Sequence, residues 1–229
     1  NILFFYIYYI AISIFILIFW LFIPTITLLI FLLIASYHFG KEDSEIMEFR
    51  ESILLKFIFF IKGSLIISAP LVFQFEETVA IFELLNFNID YLSLLDNKGI
   101  IAVFFSFGLL SNIYFLTGKG DIRNNGSFIF FDLFSINLLY YFLSPLVAFT
   151  LYFCFIHSFR HSVSLINQLD KSNFNKGFKK FVTKALPLTI ITAILFLFTV
   201  YFLKDYYVLD AAISKVIFIG LASLTFPHI

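Results

Sequence analysis

Two imidazoles stand four residues apart in "FIHSFRHS" (155–162), at the end of a long hydrophobic run. Side chains at i and i+4 leave a helix on the same face, so His157 and His161 can grip one ion between them. The two other histidines of the chain are His38, in "YHFG" (37–40), and His228, in "FPHI" (226–229), and each again closes a hydrophobic run. Imidazole suits Zn, Cu, Fe and Ni, and as a neutral donor it avoids burying charge in a low-dielectric site. The competing reading is an interfacial histidine that bonds to headgroups or to a neighbouring helix. Four histidines at one level of the membrane favour a metal site, because ionisable groups within a membrane mark function by default. Zinc proteolysis is excluded: "HSFRH" is not H-E-x-x-H and has no glutamate between its histidines. Arg160 lies between the pair on another face and is expected to reach headgroups. Cys154, one turn before His157, is expected to be a small buried residue, and a single cysteine excludes an internal disulfide.

The elements that must position these residues follow from hydropathy and length. Hydrophobic residues make up 61% of the chain and charged residues 13%, with a mean hydropathy of +1.00. That composition requires lipid as solvent. Net charge is zero, which points away from a nucleic-acid partner. The 36 phenylalanines are read mainly as compositional bias on lipid-facing positions. With about 20 apolar residues per crossing, spans are expected at 2–20 and 24–38 (broken at Pro24), 53–74, 99–117, two within 128–163 (turning at "SP", 144–145), 184–203 and from 211. Residues 75–98, with Glu76, Glu77, Glu83, Asp90 and Asp96 among apolar positions, read as an interfacial helix and loop. A polar loop is expected at "GKEDSEIMEFRES" and another at 164–183. The expected fold is all-α: one polytopic membrane domain over 1–229, a bundle of about eight transmembrane helices.

Alternating the loops puts Lys41, Arg50, Lys56, Lys119, Arg123, Arg160, Lys171, Lys176, Lys179, Lys180 and Lys184 on one side, and only Lys98, Lys204 and Lys215 on the other. The positive-inside rule makes the first side cytoplasmic. Span parity then delivers His38, His157, His161 and His228 to the same, cytoplasmic end of the bundle.

"YHFGKED", "SPLVAFTLYFCFIHSFRH" and "GLASLTFPHI", in that order, together with "KGSLIISAPLVFQFEE" (62–77), resemble the signatures of the Brp/Blh family. Its members are membrane enzymes that cleave β-carotene to retinal. The resemblance implies iron-dependent cleavage of the central double bond of β-carotene with O₂, giving two all-trans-retinal. His38, His157 and His161 correspond to ligands of Fe(2+), with no catalytic residue beyond the metal ligands, and His228 matches the histidine of the C-terminal motif. The family carries a further histidine, in Pro-His-Gly, on an earlier helix. One more ligand is therefore expected upstream of Asn1, and the chain is expected to be a fragment lacking an N-terminal helix and its C-terminal end. The implied setting is the inner cell membrane, with retinal supplied to a microbial rhodopsin. Metal-bound histidines donate their other N–H to an acceptor, for which Asp132 is the candidate. Positive charge on an oxidised polyene would be met by aromatic faces such as Tyr37, Tyr140, Tyr141 and Phe155. The rival classes are a membrane desaturase or hydroxylase, which normally needs more histidines than this chain has, and a transporter or haem-binding protein that uses histidines as a proton relay or as axial ligands.

Overall fold

A computed structural model describes residues 2–44, 53–88, 90, 98–117 and 126–226. Its helices are α1 (Ile2–Phe22), α2 (Pro24–Glu42), α3 (Ile53–Phe73), α4 (Phe75–Leu84), α5 (Lys98–Thr117), α6 (Gly126–Phe142), α7 (Pro145–Leu151), a π-helical stretch (Tyr152–His157), α8 (Ser158–Leu169), α9 (Phe174–Leu203) and α10 (Leu209–Thr225). Prolines set two of the boundaries. Pro24 opens α2 and Pro145 opens α7, each in the first helical turn, where its missing N–H costs nothing. Pro70 and Pro187 lie inside α3 and α9 instead, which membrane helices tolerate when neighbouring groups satisfy the freed carbonyl.

Three of these helices are long and apolar enough to cross a membrane: Pro24–Glu42, Ile53–Phe73 and Phe174–Leu203. Shorter apolar stretches cover Ile7–Phe22, Gly99–Ile113 and Phe130–Phe142. This corrects the expected count of about eight spans among the described residues. The expected crossing after Pro145 is interrupted by the π stretch and continues as an amphipathic helix, "SFRHSVSLINQL". The last helix is short and carries the buried Lys215. The expected loop at 164–183 shrinks to the turn 170–173. There the Asp170 carboxylate accepts from Ser172 and Asn173 and pairs with Lys180 Nζ at 3.0 Å, and Asn173 caps α9 through the Lys176 N–H. The Lys180 and Ser172 hydrogen bonds hold the Asp170 carboxyl down at about 2.

The closest packing in the bundle joins α2 to α3. A Cβ on Gly40 would lie 1.8 Å from the Phe59 carbonyl oxygen, and one on Gly63 would lie 1.8 Å from that of Ser36. Only glycine admits two backbones this near each other, the close approach that membrane helices use where hydrophobic driving force is absent. Around this pair, the buried Leu28, Phe31, Phe39, Leu65, Ala69, Tyr140, Ala148 and Tyr152 form the core. The turn after α4 ties in two more helices. Trp20 Nε1 of α1 donates to the Leu85 carbonyl at 3.4 Å, and Lys215 Nζ of α10 donates to Asn86 Oδ1 at 2.9 Å. Asn86 has a φ of 64°, a left-handed position that asparagine tolerates better than most residues. Gln74, between α3 and α4, donates to the exposed carbonyl ends of α6 at Tyr140 (2.9 Å) and Leu143. Gln74→Leu removes both donors, so we expect it to lower the thermal stability of the purified protein by about 1–3 kcal/mol; an unchanged melting temperature would contradict this capping role.

Candidate functional site

The C-terminal end of α2 delivers three groups in succession: His38, then Glu42 and Asp43 one turn on. The π stretch packs against it. In an α-helix, residues five apart point about 140° away from each other. A π turn closes i→i+5 and brings them toward one side. Tyr152 and His157 are five apart and both reach Asp43. His157 Nδ1 lies 3.0 Å from Asp43 Oδ1, and the Tyr152 hydroxyl donates to Asp43 Oδ2. Regular α-helix resumes at Ser158, and four residues after His157, His161 Nδ1 lies 3.3 Å from Glu42 Oε2. Two consecutive carboxylates thus face the Nδ1 atoms of the two paired histidines.

Asp43 is buried and held from several directions. Lys62 Nζ of α3 donates to its carbonyl oxygen at 3.1 Å and to Ser44 Oγ at 2.8 Å. Arg160 Nη1 lies 3.6 Å from its Oδ1. Burial would raise its pKa, but the hydrogen bonds from His157 and Tyr152 and the charge of Lys62 outweigh that and hold it below the usual carboxylate range.

His38 completes the group, its ring centroid 5.6 Å from that of His157. Two imidazoles binding one ion at about 2.0–2.1 Å place their ring centroids roughly 4.5–6.5 Å apart, so this spacing suits a shared ion. All three histidines line one cavity of about 350 Å³, with Tyr9, Phe31, Ala35, Phe39, Phe149, Phe153, Ser158, Ser162, Leu221, Leu224 and Thr225. Phe39 meets the His157 ring edge-on at 4.8 Å and Phe153 stacks on it at 5.7 Å. The Tyr9 hydroxyl is tied to the Leu224 carbonyl at 2.7 Å. A second, almost wholly apolar cavity of about 80 Å³ shares Phe31, Ala35, Phe39 and Phe149 with the first and runs on toward Tyr140 and Phe218.

Among the described residues, no group of three or more His, Cys, Asp or Glu side chains is gathered tightly enough to enclose a metal ion. The donor set nevertheless has the chemistry of a site for a transition-metal ion such as Zn, Cu, Fe or Ni. Its imidazoles are neutral-capable, and two of them face a carboxylate at Nδ1, the arrangement that aims Nε2 at a metal. His228, the fourth expected ligand, lies outside the described residues.

The expected partners fall differently. Asp132 is buried and takes both guanidinium nitrogens of Arg160, at 2.9 and 2.5 Å. Arg160, expected at headgroups, instead bridges Asp132 to Asp43, because α6 packs against the π stretch and brings Asp132 within its reach. Tyr141 is 65% exposed and packs edge-on against Phe73, and Tyr37 does not line the cavity. The tyrosine bonded to Asp43 is Tyr152, buried completely, while Tyr9 lines the cavity. Cys154, expected buried, is exposed on the outer side of the π stretch. Glu42 and Asp43 were within reach of sequence reasoning, since "YHFGKED" puts acids one turn beyond His38, but their polarity read as a loop. Nothing in "YFCFIH" marks a π turn. Because Asp132 is joined to Asp43 through Arg160, Asp132→Asn should cost several degrees of thermal stability by weakening a largely buried ion pair. It should cost less stability than loss of Asp43; equal losses from the two changes would contradict this order.

A family model described as Beta-carotene 15,15'-dioxygenase matches residues 1–229. A protein of an uncultured marine bacterium (66A03), named Beta-carotene 15,15'-dioxygenase, is 31% identical over 211 residues, which cover 91% of this chain and 72% of that protein. No solved structure matches the chain.

Proposed function

Because the chain belongs to the beta-carotene 15,15'-dioxygenase family, we propose that it cleaves β-carotene at the central double bond, with iron held by His38, His157 and His161. Family membership makes it a carotenoid-cleaving dioxygenase and sets aside the transporter and haem-protein readings. The observation that carries the finer proposal is the cavity into which α2 and the π–α8 helix bring all three imidazoles. In the balanced reaction the C15=C15' bond breaks and each of its carbons takes one atom of O₂ as an aldehyde oxygen.

A bound ferrous ion supplies the one-electron steps that let O₂ react with a closed-shell polyene. The residues of the chain supply the rest. The carboxylates of Asp43 and Glu42 hold the Nδ1 edges of His157 and His161. Phe31, Phe39, Phe149 and Phe153 keep the site apolar, so the hydrocarbon binds without water beside it. The shared wall of the two cavities supports a path along which a long, thin substrate lies past the histidines. Their aromatic faces suit a polyene that loses electron density. His228 is proposed as a further donor. The charge bias of the loops supports a multi-pass arrangement in the inner membrane, with the site near the cytoplasmic face.

The test is production of retinal in cells that accumulate β-carotene. Two retinal per β-carotene consumed, dependent on O₂, is the expected result; shorter or longer apocarotenals in place of retinal would refute central cleavage.

A further inference from the structure

We propose that Asp43 and Glu42 are positioning residues that set the tautomers of His157 and His161, so that each ring turns a lone-pair nitrogen, Nε2, to the cavity. The inference rests on the reading of the two histidines as ligands and goes past it, by assigning what makes them competent before any ion arrives. A neutral imidazole has one N–H and one lone pair, and the partner of one nitrogen decides the role of the other. A carboxylate accepts only, so with Asp43 Oδ1 at 3.0 Å, Nδ1 of His157 must carry the hydrogen. The lone pair then resides at Nε2 of a ring that lines the cavity. Glu42 Oε2 faces His161 Nδ1 at 3.3 Å, a charge contact that favours the same tautomer more weakly.

The two carboxylates are not equivalent. The Asp43 side chain is 5% exposed, and its second oxygen is taken by the Tyr152 hydroxyl. Lys62 fixes its backbone from α3, and Arg160, itself clamped by Asp132, stands beside it. The π turn is what lets Tyr152 and His157 share this one carboxylate. Helix adhesion does not require such a cluster, since a buried ion pair adds little net stability compared with apolar packing. Glu42 is a longer, 17% exposed side chain facing a 32% exposed His161, so its control is looser.

The experiment uses metal-free protein in detergent, labelled with ¹⁵N-histidine, with each ring assigned through its alanine variant. Long-range ¹H–¹⁵N spectra report the tautomer, and anaerobic titration with Fe(II) alone reports affinity. We expect the Nδ1–H tautomer for His157 in the unmodified protein. In Asp43→Ala, His157 should shift to the Nε2–H form with affinity for Fe(II) about 10- to 100-fold weaker, and Asp43→Glu should restore part of both. Glu42→Ala should change His161 alone, with a smaller loss. An Nε2–H tautomer for His157 in the unmodified protein overturns the proposal even if Asp43→Ala does not fold. So does an Asp43→Ala protein with unchanged tautomer and affinity. If His157→Ala and His161→Ala instead bind Fe(II) normally, the ligand reading itself fails, a result distinct from either of these.

Discussion

Alanine at His157 or at His161 is expected to lower retinal formation by more than about 100-fold while the protein still inserts in the membrane. The figure is a lower bound, since partners beyond the ligands already cost about 10–100-fold when removed. Insertion is driven by apolar helices such as Ile53–Phe73 and Phe174–Leu203, which these substitutions leave untouched. His157 should be the more damaging of the two. It is buried, packed between Phe39 and Phe153, and bonded to Asp43, so its removal leaves both a void and an unmatched carboxylate. His161 is more exposed and only loosely faces Glu42. Retinal yield in carotene-accumulating cells, normalised to protein in the membrane fraction, measures the effect. Normal yield from either variant would contradict the site.

Gly63→Ala is expected to be nearly as damaging without touching a histidine. Its new methyl group would stand 1.8 Å from the Ser36 carbonyl oxygen and 2.6 Å from the Gly40 nitrogen. Both obstacles are backbone, so α2 and α3 must move apart. His38, Glu42 and Asp43 ride on α2, whereas Lys62, which anchors Asp43, is the neighbour of Gly63 on α3. A displacement of about 1 Å at a reacting centre can cost on the order of 100-fold in rate, and overpacking costs about 1–3 kcal/mol of stability besides. Gly40→Ala, with Phe59 backbone at the same distance, should behave alike. Gly220→Ala is the matched control: its Cβ would meet nothing within 4 Å, and exchange of helical glycine for alanine is favourable by roughly 0.5–1 kcal/mol. Full activity in Gly63→Ala, or a loss in Gly220→Ala equal to it, would show that the α2–α3 contact does not position the site.

Some of this arrangement was legible in the residues and some was not. Pro24 and Pro145 announced their helix starts because proline favours the first turn, although Pro70 and Pro187 show that it does not always end a helix. Span parity led to the expectation that His38, His157 and His161 converge, and the three rings do line one cavity, although the span count behind that parity was too high. What counting cannot supply is rotation about a helix axis. Tyr152 and His157 share Asp43 because of the π turn, and a regular 3.6-residue period would have pointed them apart. The same limit hid Arg160, which looked outward by sequence spacing and in fact joins Asp132 to Asp43. Glu42 and Asp43 carried the opposite problem. Their charge read as solvent-facing loop, whereas burial next to Lys62, Arg160 and two histidines accounts for it. The loop expected at 164–183 failed for a related reason: the mixed polarity of "SFRHSVSLINQL" belongs to a helix with one wet and one dry face.

The claim that one iron is held by the imidazoles of α2 and of the π–α8 helix is tested most directly by X-ray absorption and metal analysis of the purified protein. One iron per chain, with imidazole scattering at about 2.0–2.2 Å and loss of the metal when His38, His157 and His161 are replaced together, is the result predicted. An iron content unchanged by that triple replacement, or active protein that contains no iron, would contradict it.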